Sequence, residues 1–193
     1  MRPVDPAEIL DLTAYEKSRV EFMQRMIDYK KSRRVSVGDT LTFIFENRET
    51  VIFQIQELTR AERTVDPEQI AIECKVFNEL VPGDDELSAT LMIEITDPEM
   101  IRPELDRLVG IDEHVYLDIG DSSIRATFDD KQFEEDRISA VQYVRFPLGA
   151  ELAARFRDPS QRIVLRVEHP VYSEATEITG ETRASLVADL DAE

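Results

Sequence analysis

Polar side chains interrupt the apolar residues of the stretch FENRETVIFQIQELTRAER (residues 45–63), and four of them are candidate site residues: Glu46, Arg48, Gln54 and Glu57. The stretch reads as the end of a strand followed by a helix. On that helix Gln54 and Glu57 share a stripe beside the apolar stripe, so both lie at the margin of the core. Because an unpaired buried carboxylate is costly, we expect Glu57 to be at least half buried and to accept a hydrogen bond from Arg60 or Arg48.

Two interpretations of this polar set stay open. In the first, it is a structural network that holds the strand-to-helix corner and satisfies the free N–H groups of the helix N-terminus. In the second, it is a pocket that binds a small polar ligand or an oxygen-liganded metal ion. Tyr143 and Arg145, which share one face of a later predicted strand, could complete such a pocket. An arginine beside a tyrosine at a strand end is also a common surface pair.

The elements that must position these residues follow from hydrophobic periodicity and capping residues. Helices are predicted at 13–32, 49–63, 66–80, 97–109 and 149–157. Strands are predicted at 35–46, 87–95, 137–146 and 162–169, with a hairpin at 114–128. Strands and helices do not alternate regularly, which favours an α+β fold with a largely antiparallel sheet and the N-terminal helices packed on one face. We predict one domain over residues 1–172, followed by an acidic C-terminal tail or short helix over 173–193.

Composition limits the partners and the compartment. The net charge of −18 predicts no binding to nucleic acid or to a membrane surface. A basic cluster, Lys30, Lys31, Arg33 and Arg34, lies at the end of the first long helix, where it complements the helix dipole or meets an acidic partner or a phosphorylated ligand. The single cysteine, Cys74, and an N-terminus without an apolar segment predict a cytoplasmic protein.

The motifs of common cofactor and metal sites are absent. The sequence contains no glycine-rich phosphate loop, no CxxC and no HExxH. Its two histidines, His114 and His169, lie far apart in the chain, and each is expected to make local hydrogen bonds at a strand end. We therefore expect no cofactor and no metal ion.

Four segments carry a resemblance to a known family: FENRETVIFQIQELTRAER, NELVPGDDELSATLMIEI, LVGIDEHVYLDIG and RISAVQYVRFPLG. Together they resemble a bacterial family of uncharacterised proteins, a domain of unknown function, over about residues 1–168. The resemblance implies no catalytic residues. It implies a context, because such proteins look to be encoded near rubrerythrin-like and iron–sulfur oxidoreductase proteins. A rubrerythrin-like or iron–sulfur protein is therefore the protein partner that the resemblance implies.

Two main hypotheses of function follow. The leading one is a non-catalytic accessory or binding protein that acts with a redox partner, in keeping with the absent motifs and the acidic composition. The alternative is a small enzyme with an Arg/carboxylate pocket that acts on a small polar substrate. A protein that binds a metal ion through carboxylates is a third class.

Overall fold

The computed structural model describes residues 1–129, 133–134 and 137–192. Its α-helices are α1 (Leu12–Lys31), α2 (Arg48–Glu62), α3 (Pro67–Phe77), α4 (Ile101–Arg107), α5 (Gly149–Arg157) and α6 (Gly180–Asp191). Its strands are β1 (Arg34–Val37), β2 (Leu41–Glu46), β3 (Glu86–Ile93), β4 (Val115–Ile119), β5 (Ser122–Arg125), β6 (Thr127–Phe128), β7 (Phe133–Glu134), β8 (Arg137–Ile138), β9 (Val141–Pro147), β10 (Ile163–His169) and β11 (Tyr172–Glu177).

The strands form two main antiparallel sheets. One has five strands in the order β1-β2-β3-β9-β6, and the other has four in the order β11-β10-β4-β5. At one side the sheets meet, because the Tyr172 hydroxyl donates to the Val37 carbonyl at 2.6 Å and Thr176 Oγ1 donates to the Ser36 carbonyl at 2.6 Å. The predicted α+β fold with antiparallel strands is confirmed, although the strands divide between two sheets.

The main core lies between the two sheets. Leu41, Phe43 and Phe45 of β2 are fully buried, and Leu165 and Val167 of β10 are buried in the same cluster. Alternate residues of a strand point to opposite faces, so the period of two in the sequence correctly identifies this buried face. The opposite face of β2 is the one that α2 covers, since Gln54 of α2 contacts Glu46 there.

Helices α1, α2 and α3 precede most of the sheet, and α2 and α3 share a smaller apolar cluster with the N-terminal segment. Val51 and Ile55 of α2 are fully buried there and pack with Cys74 of α3 and Leu80. The apolar stripe predicted on α2 is therefore the face that joins the helices. Burial raises the pKa of the Cys74 thiol, as expected for a thiol that behaves as a small apolar residue.

The strand predicted at 137–146 differs from the observed arrangement. The backbone forms a short β8 and then β9, which lies between β3 and β6. The nearly apolar sequence of this segment predicts a central strand, which the position of β9 confirms, although Val141 and Tyr143 are each 41% exposed. The outer face of β9 is therefore open, unlike the face of β2 beneath α2.

The C-terminal residues contribute one strand and one helix. β11 pairs with β10 along its whole length, and α6 begins after Thr179. Leu186 and Leu190 of α6 belong to the main core. The division of the chain at residue 172 stays a prediction.

A fully buried arginine connects α6 to the strand-to-helix corner. Arg33 is 0% exposed, and its guanidinium donates to the Phe45 carbonyl at 2.8 Å and to the Glu46 carbonyl at 3.2 Å. It also donates to Ser185 Oγ at 2.9 Å and to the carboxylate of Asp189, both on α6. The charge of Arg33 is thus balanced by a residue 156 positions further along the chain.

One of the four residues of the predicted basic cluster, Arg33, does not lie on the surface. Lys30 and Lys31 lie in the last turn of α1, where they complement the helix dipole. Arg34 forms an ion pair with Glu94 on the surface. Arg33 is buried and contributes no charge to that surface.

Candidate functional site

The structure places the six predicted site residues at four different positions. Glu46 and Gln54 lie in a buried cluster beneath α2. Arg48 pairs near the N-terminus of the chain and Glu57 pairs with α1, whereas Tyr143 and Arg145 line an open cleft. The predicted corner pocket of Glu46, Arg48, Gln54 and Glu57 is therefore not brought together.

Glu46 is a buried carboxylate surrounded by neutral donors. Its side chain accepts hydrogen bonds from Thr50 Oγ1, from Gln54 Nε2 at 3.0 Å and from Thr90 Oγ1 at 2.7 Å. The residue is only 3% exposed. Within the described part of the chain, no lysine or arginine side chain forms an ion pair with it. This cluster joins α2 to β2 and β3, so its geometry serves the packing of the helix on the sheet.

Arg48 pairs with a residue that the sequence does not place near it. Its guanidinium contacts the Glu8 carboxylate, and this contact lowers the pKa of Glu8. Glu46, which the pocket interpretation groups with Arg48, is not its ion-pair partner. The first turn of α2 is capped by Asn47, whose side chain accepts from the Thr50 N–H at 3.2 Å, so a residue outside the predicted set satisfies this N–H group.

Glu57 is bound in a bidentate ion pair that spans two helices. Its carboxylate accepts from Arg19 Nε and Nη2, each at 2.8 Å, and from the Tyr15 hydroxyl at 2.6 Å. Arg19 is neither of the two predicted partners. One of these, Arg60, forms an ion pair with Glu16 instead, with an N···O distance of 2.8 Å. The Glu57 side chain is 27% exposed. The expected burial and arginine partner are confirmed, and the identity of the arginine is wrong.

The surroundings of Glu57 and Tyr15 shift their pKa values in opposite directions. The Arg19 guanidinium holds the pKa of Glu57 below its usual range, against the opposing effect of burial. Burial, and then the hydrogen bond to Glu57, raise the pKa of Tyr15. Both directions keep Glu57 ionised and Tyr15 protonated at neutral pH, which is the state that this set of hydrogen bonds requires.

We expect Glu57→Gln to lower the free energy of unfolding by about 1–3 kcal/mol at pH 7. The folded-state pKa of Glu57 is lowered, so its contribution is full above the unfolded-state pKa of about 4.3 and is lost as pH falls through the folded-state value. Urea unfolding of the unchanged protein and of Glu57→Gln between pH 7 and pH 3 should therefore show a difference in unfolding free energy that shrinks as the pH falls. Glu16→Gln, which removes an exposed carboxylate from a similar pair, should change little. An equal effect of the two substitutions would contradict the assignment.

A cleft of about 430 Å³ lies between the end of α3 and the strands β3, β6 and β9. We call it the α3–β9 cleft. Three aromatic residues from three different elements line it: Phe77, Phe128 and Tyr143. Val76 lines it as well, and its side chain continues the exposed apolar surface of α3 together with Ile72, the two being 55% and 54% exposed.

Arg145 lies at the cleft with its guanidinium already occupied. It contacts the Glu86 carboxylate and the Glu79 carbonyl. Glu86 also accepts from the Gly83 N–H at 2.8 Å, which fixes the acceptor for Arg145. By register, Arg145 stands opposite Ser88, and Ser88 stands opposite Glu46. Glu46 and Arg145 thus share one row of the sheet face, but α2 covers only the Glu46 end.

The histidines meet although they are far apart in sequence. The rings of His114 and His169 are 5.2 Å apart, edge to face. His169 Nε2 lies 3.1 Å from the Val109 carbonyl, and its Nδ1 accepts from the Val171 N–H at 3.4 Å. Cys74 belongs to the helical cluster and lies elsewhere. Among the residues that the structure describes, no group of three or more His, Cys, Asp or Glu side chains is arranged to hold a metal ion.

Hydrophobic periodicity within single helices and strands does not identify the cleft residues that lie outside β9. Phe77 and Phe128 are 51 positions apart and belong to a helix end and to a two-residue strand. One signal was present, since Ile72 and Val76 are apolar positions four apart on α3 that do not share the face of the buried Cys74.

The described residues define an α+β protein with two main antiparallel sheets. Helix α2 covers a buried polar cluster on one sheet, and the α3–β9 cleft lies open beside it. The chain belongs to the family described as Protein of unknown function (DUF3501), which matches residues 3–190. This match extends past the limit near residue 168 that the resemblance suggested, and it includes most of α6.

A solved structure has the same fold. The crystal structure of a novel protein of unknown function from Burkholderia pseudomallei K96243, at 1.90 Å resolution, superposes with a TM-score of 0.92. It is 34% identical, and the alignment covers 98% of this chain and 100% of that one. No curated protein matches the chain. In the described residues, no helix combines the length and the apolar character needed to cross a membrane.

Proposed function

We propose that this protein is an accessory binding protein whose α3–β9 cleft receives a segment of a redox partner. The observation that carries the proposal is the continuity between the apolar cleft and the exposed apolar residues Ile72 and Val76 of α3. Exposed apolar surface of this kind, rimmed by charged residues, is typical of sites that bind another protein.

The arrangement of charges favours binding over catalysis. The buried carboxylates Glu46 and Glu57 do not line the cleft, and each is held by several hydrogen bonds. Arg145 does line it, but an anionic substrate would have to displace the Glu86 carboxylate and the Glu79 carbonyl. The alternative function, an enzyme with an Arg/carboxylate pocket, requires that displacement, which costs the substrate part of its binding energy.

The redox character of the partner is supported by the resemblance alone, which implies genes for rubrerythrin-like and iron–sulfur proteins nearby. A cleft of about 430 Å³ has room for a side chain or a short segment of such a partner.

Photo-crosslinking in the native cell tests the proposal. A photoreactive phenylalanine at Tyr143, which is 41% exposed at the cleft, is compared with the same group at Val171, which is 49% exposed and does not line the cleft. We expect one protein with a redox centre to be captured at position 143 and not at 171. Equal capture at the two positions, or no capture at 143, would reject the cleft as the binding site. Capture of a protein without a redox centre would reject the redox part only.

A further inference from the structure

We propose that the outward face of α3 binds an amphipathic helix of the partner, in which two apolar residues lie between two basic ones. This inference rests on the proposed function, because it specifies the shape and charge of the segment that binds beside the α3–β9 cleft. Three features of α3 support it: a pair of exposed apolar residues, an acidic residue at each end of the face, and backbone hydrogen bonds that stay within the helix.

The apolar part of this face consists of Ile72 and Val76, which lie one helical turn apart on α3. They are 54% and 55% exposed, whereas Cys74 on the opposite side of the helix is buried. In the described helices, no other two exposed large apolar residues lie one turn apart. Ala71 is exposed beside them, and a small residue at a helix contact lets the two axes approach closely. The face is therefore shaped for contact with another molecule.

Acidic residues lie at both ends of the apolar pair. Glu68 is in the first turn of α3, four positions before Ile72, and Glu79 follows the end of the helix, three positions after Val76. At 3.6 residues per turn these positions share one side of the axis, and the two acids are about 16 Å apart. Among the residues that the structure describes, neither acid forms an ion pair. Lys75 lies between them and is exposed, so the face keeps one net negative charge.

The backbone of α3 selects a helix as the bound segment. An extended segment binds through main-chain hydrogen bonds to an open strand edge, whereas the backbone groups of an α-helix bond to one another. α3 presents side chains at every third or fourth position instead, and the ridges of another helix fit between such side chains. A helix that matches α3 therefore has basic residues eleven positions apart, with apolar residues four and eight positions after the first.

A second copy of this chain is a poor fit to the same face. In an antiparallel pair of copies, the register that places Ile72 against Val76 also places Glu68 of each copy next to Glu79 of the other. Like charges that meet in this way repel, and each copy also has a net charge of −18. The charges therefore favour a basic segment of a different protein.

Three synthetic helices test the inference. Each is an acetylated and amidated, alanine-rich peptide of about sixteen residues with leucine at positions 6 and 10, and with lysine, glutamine or glutamate at positions 2 and 13. The peptides are titrated into the ¹⁵N-labelled protein. We expect the lysine peptide to shift the amide signals of Ala71, Ile72 and Val76 and to bind at least about ten-fold more tightly than the glutamate peptide. Raising the salt concentration should reduce this difference.

Glu68→Gln tests the charge at one end of the face. It should weaken binding of the lysine peptide by about three-fold, the effect of one exposed carboxylate, and leave binding of the glutamine peptide unchanged. Glu181→Gln is the matched control, because Glu181 is also an exposed acid in the first turn of a helix, α6. This control should change the affinity of neither peptide.

Ile72→Gln tests the apolar pair. It should weaken binding of all three peptides by at least about five-fold, because it removes apolar surface from the contact. Ile27→Gln on α1 is the matched control, since Ile27 is 52% exposed and Ile72 is 54% exposed. This control should leave the three affinities unchanged, and urea unfolding verifies that both variants are folded.

Several results would overturn the inference. These are equal affinity for the three peptides, tighter binding of the glutamate peptide, shifts confined to residues outside α3, and no shifts at all. A dimer of the free protein that is lost in Ile72→Gln and kept in Ile27→Gln would also overturn it, because a second copy would then cover the face.

The two proposals fail in different experiments. If the photoreactive group at Tyr143 captures a redox protein but the lysine peptide does not bind α3, the inference about a basic helix is wrong and the cleft remains the binding site. If the lysine peptide binds α3 but position 143 captures no protein in the cell, the face recognises basic helices and the proposed function is wrong.

Discussion

Replacing Arg33 with methionine should lower the free energy of unfolding by about 3–5 kcal/mol, the cost of breaking a buried ion pair from one side. Asp189 is 8% exposed and would lose the guanidinium that neutralises it. The Phe45 and Glu46 carbonyls would also lose a donor. Methionine fills a similar volume, so the loss reports on charge and hydrogen bonds more than on a cavity.

A second substitution separates these causes. Arg33→Met combined with Asp189→Leu removes both charges and should recover a large part of the lost stability, because a buried pair replaced by apolar residues is often neutral. Arg34→Met, at an ion pair with a 47% exposed arginine side chain, should change the free energy of unfolding by no more than about 1 kcal/mol. Urea unfolding measures all three. A loss for Arg33→Met as small as that for Arg34→Met would show that the buried pair is not structural.

Val76→Lys should reduce capture of the partner at Tyr143 by at least about ten-fold, because the substitution places a charge in the apolar wall of the cleft. Val76 is 55% exposed on α3, and lysine is a better helix former than valine, so the fold should tolerate the change. The loss of binding would then report on the interface alone.

The matched control is Val20→Lys. Val20 is 80% exposed on α1 and does not line the cleft, and the substitution adds the same charge to the molecule. Val76→Gln adds polarity without charge and should fall between Val76→Lys and the unchanged protein. Equal capture by the two lysine variants would mean that Val76 does not contact the partner.

The elements of the fold could be predicted because their signals are local. The alternation of Leu41, Phe43 and Phe45 identifies a strand and its buried face, and Asp66 followed by Pro67 identifies the start of α3. Each signal depends on residues a few positions apart. The division of the strands between two sheets depends on pairings between distant strands, such as β4 with β10, and has no local signal.

The ion pairs could not be predicted for the same reason. Burial of Glu57 requires a cationic partner, and this much follows from the sequence. Glu57 pairs with Arg19, which lies 38 residues earlier in the chain. The choice of Arg19 over Arg60 depends on how α1 packs on α2. Arg33 looks like a surface residue because it follows Lys30 and Lys31, and only the position of α6 shows that it is buried.

The candidate site was partly predictable. The period of two correctly places Tyr143 and Arg145 on one strand face, and the register then puts Glu46 on the same face of the sheet. The helix α2 separates them, since it buries Glu46 and leaves Tyr143 exposed. Whether a helix covers a given strand is a property of the tertiary fold. The residues predicted to form one pocket therefore include Glu46 and Gln54 in a buried cluster and Tyr143 and Arg145 in an open cleft.

Glu57→Gln and Val76→Lys, each measured for both unfolding free energy and capture at Tyr143, test most directly the claim that the Glu57–Arg19 ion pair between α1 and α2 is structural and the α3–β9 cleft is functional. Glu57→Gln should lose about 1–3 kcal/mol of stability and keep capture at a temperature where it is folded. Val76→Lys should keep its stability within about 0.5 kcal/mol and lose capture. The opposite pattern, with capture lost in Glu57→Gln and kept in Val76→Lys, would place the binding site at the Glu57–Arg19 ion pair and contradict the account.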